Sequence, residues 1–77
     1  MWDAESLEDF FKEAGVPDHF YSFYAEKDDA ICIEKAGNEW VVYYSERGAR
    51  RELGFGKTES QALDLLRLFV LEEFHFF

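Results

Sequence analysis

The chain has 77 residues, is 48% hydrophobic and 19% aromatic, and carries a formal net charge of −9 at pH 7. This length allows one domain, residues 1–77, with one small core, and the aromatic content excludes a disordered chain. The only cysteine, Cys32, excludes an internal disulfide, and no Cys/His spacing is typical of a zinc site. We therefore expect neither a metal nor a cofactor.

No apolar run reaches the roughly 20 residues of a membrane span. Four acidic residues lie among the first nine positions, where a secretory signal would be basic and then apolar. Together with the single cysteine, this pattern predicts a cytoplasmic protein without a membrane partner.

The negative charge is concentrated in the first part of the chain. Residues 1–46 hold twelve acids and three lysines, whereas residues 47–77 hold five acids and five bases. Such a surface repels phosphate, so we expect no direct binding to nucleic acid. Two interpretations stay open: the acids attract a basic protein partner, or they only keep an aromatic-rich domain in solution.

The first elements in the chain are a helix and a short strand. Residues 3–14 have helical periodicity, with Asp3 or Ser6 as the cap and Gly15 and Pro17 as the stop signals. Residues 19–24 are rich in aromatics, which favours a strand, and residues 26–29 form a polar turn.

Three further strands follow, at 30–36, 39–46 and 49–55, joined by the two-residue loops Gly37-Asn38 and Arg47-Gly48. These loops predict that Ile33 lies opposite Val42, and that Tyr44 lies between Ile31 and Arg51. They also pair Val42 with Leu53 and Trp40 with Phe55. Both loops then place the same apolar set on one face of the sheet: Ile31, Ile33, Trp40, Val42, Tyr44, Leu53 and Phe55.

A long helix ends the chain, with Thr58 and Gln61 as a capping box. Glu73 points along its apolar side, so we expect the helix to run past the sheet edge or to fray there. The apolar side consists of Ala62, Leu65, Leu66, Phe69 and Val70. The predicted fold is α+β, a two-layer domain of order α-β-β-β-β-α. Its antiparallel sheet of three to four strands carries both helices on one face.

The patterns that suggest catalysis are incomplete. Residues 54–58 resemble the end of a phosphate-binding loop, but Arg51 occupies the position of the required first glycine. Cys32 lies in mid-strand, and His19 and His75 are at opposite ends of the chain. We therefore expect no enzyme.

Two surfaces have the composition of binding sites. The outer sheet face should expose Cys32, Glu34, Val41, Tyr43, Arg50 and Glu52, either as an interface or as ordinary cross-strand packing. The second surface is an apolar C-terminal segment, which would be a dimer seam unless its last phenylalanines fold back over the core: Leu68, Leu71, Phe74, Phe76 and Phe77.

The order of these elements is familiar, particularly Gly15-Val16-Pro17, Trp40-x-Val42-x-Tyr44-x-Glu46-Arg47-Gly48 and Phe55…Glu59-x-x-Ala62. This pattern resembles the small bacterial immunity proteins of polymorphic and contact-dependent growth-inhibition toxin systems. The resemblance implies a cytoplasmic protein that binds and neutralises a cognate toxin domain, often a nuclease.

An acidic domain of this kind could occlude a basic cleft, so we expect the partner to be a basic protein toxin. The residues expected to contact it are Tyr24, Glu26, Asp28, Asp29, Glu34, Glu39, Val41, Tyr43, Glu46 and Arg47. Two alternatives remain: an acidic homodimeric adaptor or regulator that associates through its C-terminal helix, and a nucleic-acid mimic that opposes a DNA-binding protein.

Overall fold

The computed structural model describes residues 1–75, with side chains up to Phe74. Helix α1, Ala4–Glu13, is followed by a short 3₁₀ turn, Asp18–Phe20, and by strand β1, Tyr21–Phe23. Strands β2, Ala30–Ala36, β3, Glu39–Glu46, and β4, Ala49–Gly56, precede helix α2, Glu59–His75. The sheet order is β1-β2-β3-β4, and the α+β fold of order α-β-β-β-β-α is confirmed.

Both helices pack on one face of the sheet, as predicted. The core unites Leu7 and Phe11 of α1 with Ile33 of β2 and with Leu66 and Val70 of α2, all completely buried. Leu63, which lay outside the predicted apolar side of α2, is also completely buried. No helix within residues 1–75 is both long enough and apolar enough to cross a bilayer.

Local side-chain bonds fix where the helices begin. Ser6 N–H donates to the Asp3 carboxylate at 2.8 Å, and Asp3 N–H donates to the Ser6 hydroxyl at 3.1 Å, so the two predicted caps of α1 act as a pair. At α2, Gln61 N–H donates to the Thr58 hydroxyl at 3.2 Å, while the Gln61 side chain accepts from Lys57 N–H at 2.9 Å.

The sheet is mixed, and the expectation of an antiparallel sheet is wrong for β1. Tyr21 pairs with Ile31 and Phe23 with Ile33 in parallel register. Parallel neighbours cannot be joined by a hairpin, so the connection must cross one face of the sheet. Residues 24–29, here called the crossover loop, make this connection.

A β-bulge changes the second half of the predicted register. Tyr44 lies opposite Ile31 and Arg51, as predicted, but the pairing of β3 with β4 shifts between Val42 and Tyr43. Val42 therefore pairs with Gly54 and Trp40 with Gly56, because a bulge inserts one extra residue into a strand. Phe55 consequently leaves the inner face, pairs with Val41 and is 52% exposed.

Candidate functional site

The crossover loop covers the part of the outer sheet face that β2 and β3 form. Tyr24 N–H donates to Ile33 C=O at 2.9 Å at one end of the loop, and Asp29 N–H donates to Ser45 C=O at 2.8 Å at the other. Between them the Cys32 Sγ lies 3.7 Å from Lys27 C=O. The expectation that this face is open is therefore wrong for Cys32, Val41 and Tyr43, whereas Arg50 and Glu52 are exposed as expected.

Four residues on this face form a second, smaller core beneath the loop: Ala30, Cys32, Val41 and Tyr43. Val41 is 4% exposed and Tyr43 is 1% exposed, so neither presents the surface expected of a contact residue. Burial is also the main reason that the pKa of the Cys32 thiol is raised, which keeps it protonated and unreactive at neutral pH.

Arg50 closes this second core from the solvent side. Its guanidinium lies 4.3 Å from the centre of the Tyr43 ring and pairs with Glu26 at 2.8 Å and with Glu34 at 2.9 Å. The Tyr43 hydroxyl donates to Glu34 at 2.9 Å. The bonds from Arg50, and secondarily the bond from Tyr43, hold the pKa of Glu34 below its ordinary value. Glu26 and Glu34, both expected contacts, are thus engaged within the chain.

The other end of the crossover loop meets the tip of the β3–β4 hairpin. Asp28 accepts a hydrogen bond from Arg47 N–H at 2.5 Å, so the loop and the hairpin hold each other. Asp29 and Arg47 adopt left-handed backbone conformations, with φ of 58° and 51°. Asp28, Asp29, Glu46 and Arg47, four of the expected contacts, lie together and exposed at this end of the sheet.

The last turns of α2 extend the same surface on the inner side of the sheet. Two cavities of about 280 and 340 Å³ lie between α2, the 3₁₀ turn and the sheet, and both are lined by Ile31, Tyr44 and Glu73. We call their union the Tyr44 groove. Its remaining lining comprises His19, Phe20, Asp29, Arg51, Leu53, Phe69 and Glu72.

Tyr44 lies close to several carboxylates around this groove. Its pKa is raised by burial first, and then by the carboxylates of Glu46, Asp29 and Glu73. Its hydroxyl lies 3.5 Å from an Asp29 carboxylate oxygen. We define the acidic end as the carboxylates around this tyrosine and the adjoining hairpin tip: Asp28, Asp29, Glu46, Glu72 and Glu73. Among the side chains of residues 1–74, none of the five forms an ion pair.

Tyr24 and Glu39 lie far from the acidic end. Glu39 begins β3 and Glu46 ends it, which separates them by roughly 23 Å at the usual rise of a strand. The Tyr24 ring lies 5.9 Å from that of Trp40, and the Tyr24 hydroxyl bonds to Glu59. The ten expected contact residues therefore do not form one surface.

The residues of the expected dimer seam do not form one exposed surface either. Leu71 and Phe74 are partly buried against the main core, and Leu68 is 48% exposed. Phe76 and Phe77 lie outside the described residues. Of the predicted seam within residues 1–74, Leu68 is the exposed member.

Sequence reasoning did not identify Tyr44, Arg51, Glu72 and Glu73 as site residues. Tyr44 was assigned to the core by its strand register, which is correct but incomplete, because it is half-buried. The useful signal was Glu73, a carboxylate on the apolar side of α2. It lines both cavities of the Tyr44 groove, and the next residue, Phe74, packs against the main core.

Among the side chains of residues 1–74, no group of His, Cys, Asp or Glu has the arrangement of a metal site. Comparisons with protein-family models, with curated proteins and with solved structures found no match to this chain.

Proposed function

We propose that this chain is an immunity protein, which binds a cognate bacterial toxin domain in the cytoplasm and neutralises it by occluding a basic active-site cleft. The observation that carries the proposal is the acidic end. Three separate segments, the crossover loop, the β3–β4 hairpin and the last turns of α2, bring five carboxylates together without an ion pair among the described residues. The resemblance in sequence supports the same function.

Free carboxylates at a surface favour a basic partner in two ways. They raise the rate of encounter with a positively charged protein, and they supply acceptors for its lysine and arginine side chains. The acids on the outer face contribute less, because Arg50 already pairs with Glu26 and Glu34. We therefore centre the binding site on Asp28, Asp29, Glu46 and the Tyr44 groove.

The acidic end is also held in place before a partner binds. The hydrogen bonds from Arg47 N–H to Asp28 and from Asp29 N–H to Ser45 tie the loop to the hairpin. Ordering a loop during association costs free energy, so a loop that is already ordered retains more of the contact energy as affinity. The proposed function is binding and involves no catalytic step.

The test is protection of cells. The C-terminal domain of a secreted protein encoded beside this chain is produced in a susceptible host, with and without the chain. We expect the chain to restore growth, and the triple variant Asp28→Asn, Asp29→Asn, Glu46→Gln to protect less. Asparagine keeps the acceptor at position 28 and tolerates the left-handed backbone at position 29, so the variant should fold.

The matched control removes three exposed carboxylates from α1 instead: Glu5→Gln, Asp9→Asn and Glu13→Gln. It makes the same change in net charge and should protect like the wild type. Growth arrest that the wild-type chain does not relieve, or the absence of any such neighbouring toxin, would count against the proposed function.

A further inference from the structure

We propose that the Tyr44 groove is the pocket for an arginine side chain of the protein partner. This inference rests on the proposed function, because it names the chemistry that the partner presents to the acidic end. It also makes a claim about the groove that can be tested without a partner.

The groove combines an apolar floor with an acidic rim. Ile31, Tyr44 and Phe69 line the floor, and Asp29, Glu72 and Glu73 stand at the rim. Against these three carboxylates, the described lining residues include one permanent cation, Arg51. A ligand that fits must therefore bring positive charge on an apolar stem.

Arginine fits this combination better than lysine. Its guanidinium is flat, weakly hydrated, stacks on aromatic rings and bonds to carboxylates through two parallel N–H groups. The aliphatic stem of arginine would cover Ile31 and Phe69 while the head reaches the rim. Cavities of about 280 and 340 Å³ have room for one such side chain.

The chain itself already places a guanidinium beside this tyrosine. The Arg51 Cζ lies 5.9 Å from the centre of the Tyr44 ring, and among the described side chains Arg51 forms no ion pair with the carboxylates at the rim. The Tyr44 ring therefore tolerates a cation at its face, and the rim acids stay free for a second one. Arg51 should weaken the binding of that second cation through charge repulsion.

The experiment uses a short blocked peptide, acetyl-Gly-Arg-Gly-amide, titrated into the isotopically labelled chain and followed by NMR. The comparison peptide replaces arginine by citrulline, which has nearly the same shape and no charge. We expect saturable shifts at Asp29, Tyr44 and Glu73 with the arginine peptide, with a dissociation constant on the order of 1 mM, and none with the citrulline peptide.

Two variants test the groove itself. Glu73→Gln changes an exposed residue, so the variant should fold, and it should bind the arginine peptide several-fold more weakly. Arg51→Gln removes the competing cation, and this variant should bind the arginine peptide more tightly. Glu5→Gln is the control, because Glu5 lies at the start of α1, far from the groove. The pKa of Tyr24 is raised by burial first and also by the neighbouring Asp3 carboxylate, and the Tyr24 ring lies beside Trp40, at the opposite end of β3 from the acidic end.

Equal shifts with citrulline, shifts spread over all surface acids, or no saturable shift would overturn the inference. These outcomes are separable from failure of the proposed function. A peptide that binds the groove of a chain that protects no cell contradicts the function alone. If the chain does not bind the arginine peptide and the Glu73→Gln variant still protects cells, the arginine pocket alone is contradicted.

Discussion

The guanidinium of Arg50 lies 4.3 Å from the centre of the Tyr43 ring and bonds to carboxylates from two other segments. Through Glu26 it holds the crossover loop, and through Glu34 it holds β2. One exposed residue of β4 thus covers a tyrosine that is 1% exposed. This contact and the loop close the outer face around Tyr43, and they engage the carboxylates of Glu26 and Glu34 within the chain.

Replacing Arg50 with alanine should loosen the crossover loop more than the rest of the molecule. The change removes both ion pairs and uncovers the Tyr43 ring, while α1 and its cap are untouched. We expect amide hydrogen exchange in residues 25–29 to accelerate several-fold relative to exchange in α1. Arg51→Ala is the matched control, since Arg51 is the neighbouring arginine and forms no ion pair within the described residues. Equal acceleration in both variants would contradict the role given to Arg50.

Removal of the Tyr43 side chain should lower the free energy of unfolding about as much as removal of a central core side chain. A buried aromatic replaced by alanine leaves a cavity and costs about 3–5 kcal/mol in the free energy of unfolding. Tyr43→Phe loses only the hydrogen bond to the charged Glu34 and should cost less, about 1.5–3 kcal/mol. Denaturant unfolding measures both. Tyr24→Ala is the comparison, because Tyr24 is 46% exposed. If Tyr43→Ala were no more harmful than Tyr24→Ala, the second core would be wrongly assigned.

Gly56 should tolerate no side chain, because α2 begins against its backbone. A Cβ at Gly56 would lie 2.6 Å from the Ala62 nitrogen, so α2 would have to move. We expect Gly56→Ala to lower the free energy of unfolding by about 1–3 kcal/mol or more. At Gly54, in the same strand, a Cβ would meet the end of the Leu65 side chain at 3.3 Å, which can yield. Thermal unfolding should therefore rank Gly54→Ala as the milder change, and the reverse order would contradict this packing.

The sequence predicted the fold, the whole register of β2 with β3, and the register of β3 with β4 from the turn to the bulge. Ile31–Tyr44 and Tyr44–Arg51 follow from two-residue loops, because such loops fix the pairing on either side. The bulge could not be predicted, because Leu53 fits the apolar face opposite Val42 and no local sequence signal marks the extra residue. Phe55 was placed on the wrong face for this reason.

The site depends on contacts between residues far apart in the chain. Glu26 and Arg50 are 24 residues apart, and the parallel pairing of β1 that brings them together has no local sequence signal. Val41 and Tyr43 alternate correctly to the outer face. Their burial comes from a loop that a strand pattern does not place.

Glu34 should make the stability of the chain depend on pH in the acid range. Its pKa is lowered in the folded state, mainly by Arg50, from an ordinary value of 4.5. The stabilising contribution is therefore complete above 4.5 and is lost as the pH falls through the lowered folded-state pKa. We expect the difference in unfolding free energy between the wild type and Glu34→Gln to shrink over this window. A difference that stays constant from neutral to strongly acid pH would contradict the ion pair.

The most direct test of the central claim is the association rate with the cognate toxin domain, measured by stopped flow over a range of salt concentrations. We predict a rate that falls steeply with salt. At low salt the variant Asp28→Asn, Asp29→Asn, Glu46→Gln should associate about tenfold more slowly and with a flatter salt dependence. The α1 variant Glu5→Gln, Asp9→Asn, Glu13→Gln should stay close to the wild type. If the rate is independent of salt, or if both variants slow association equally, the acidic end is not the surface that meets the toxin.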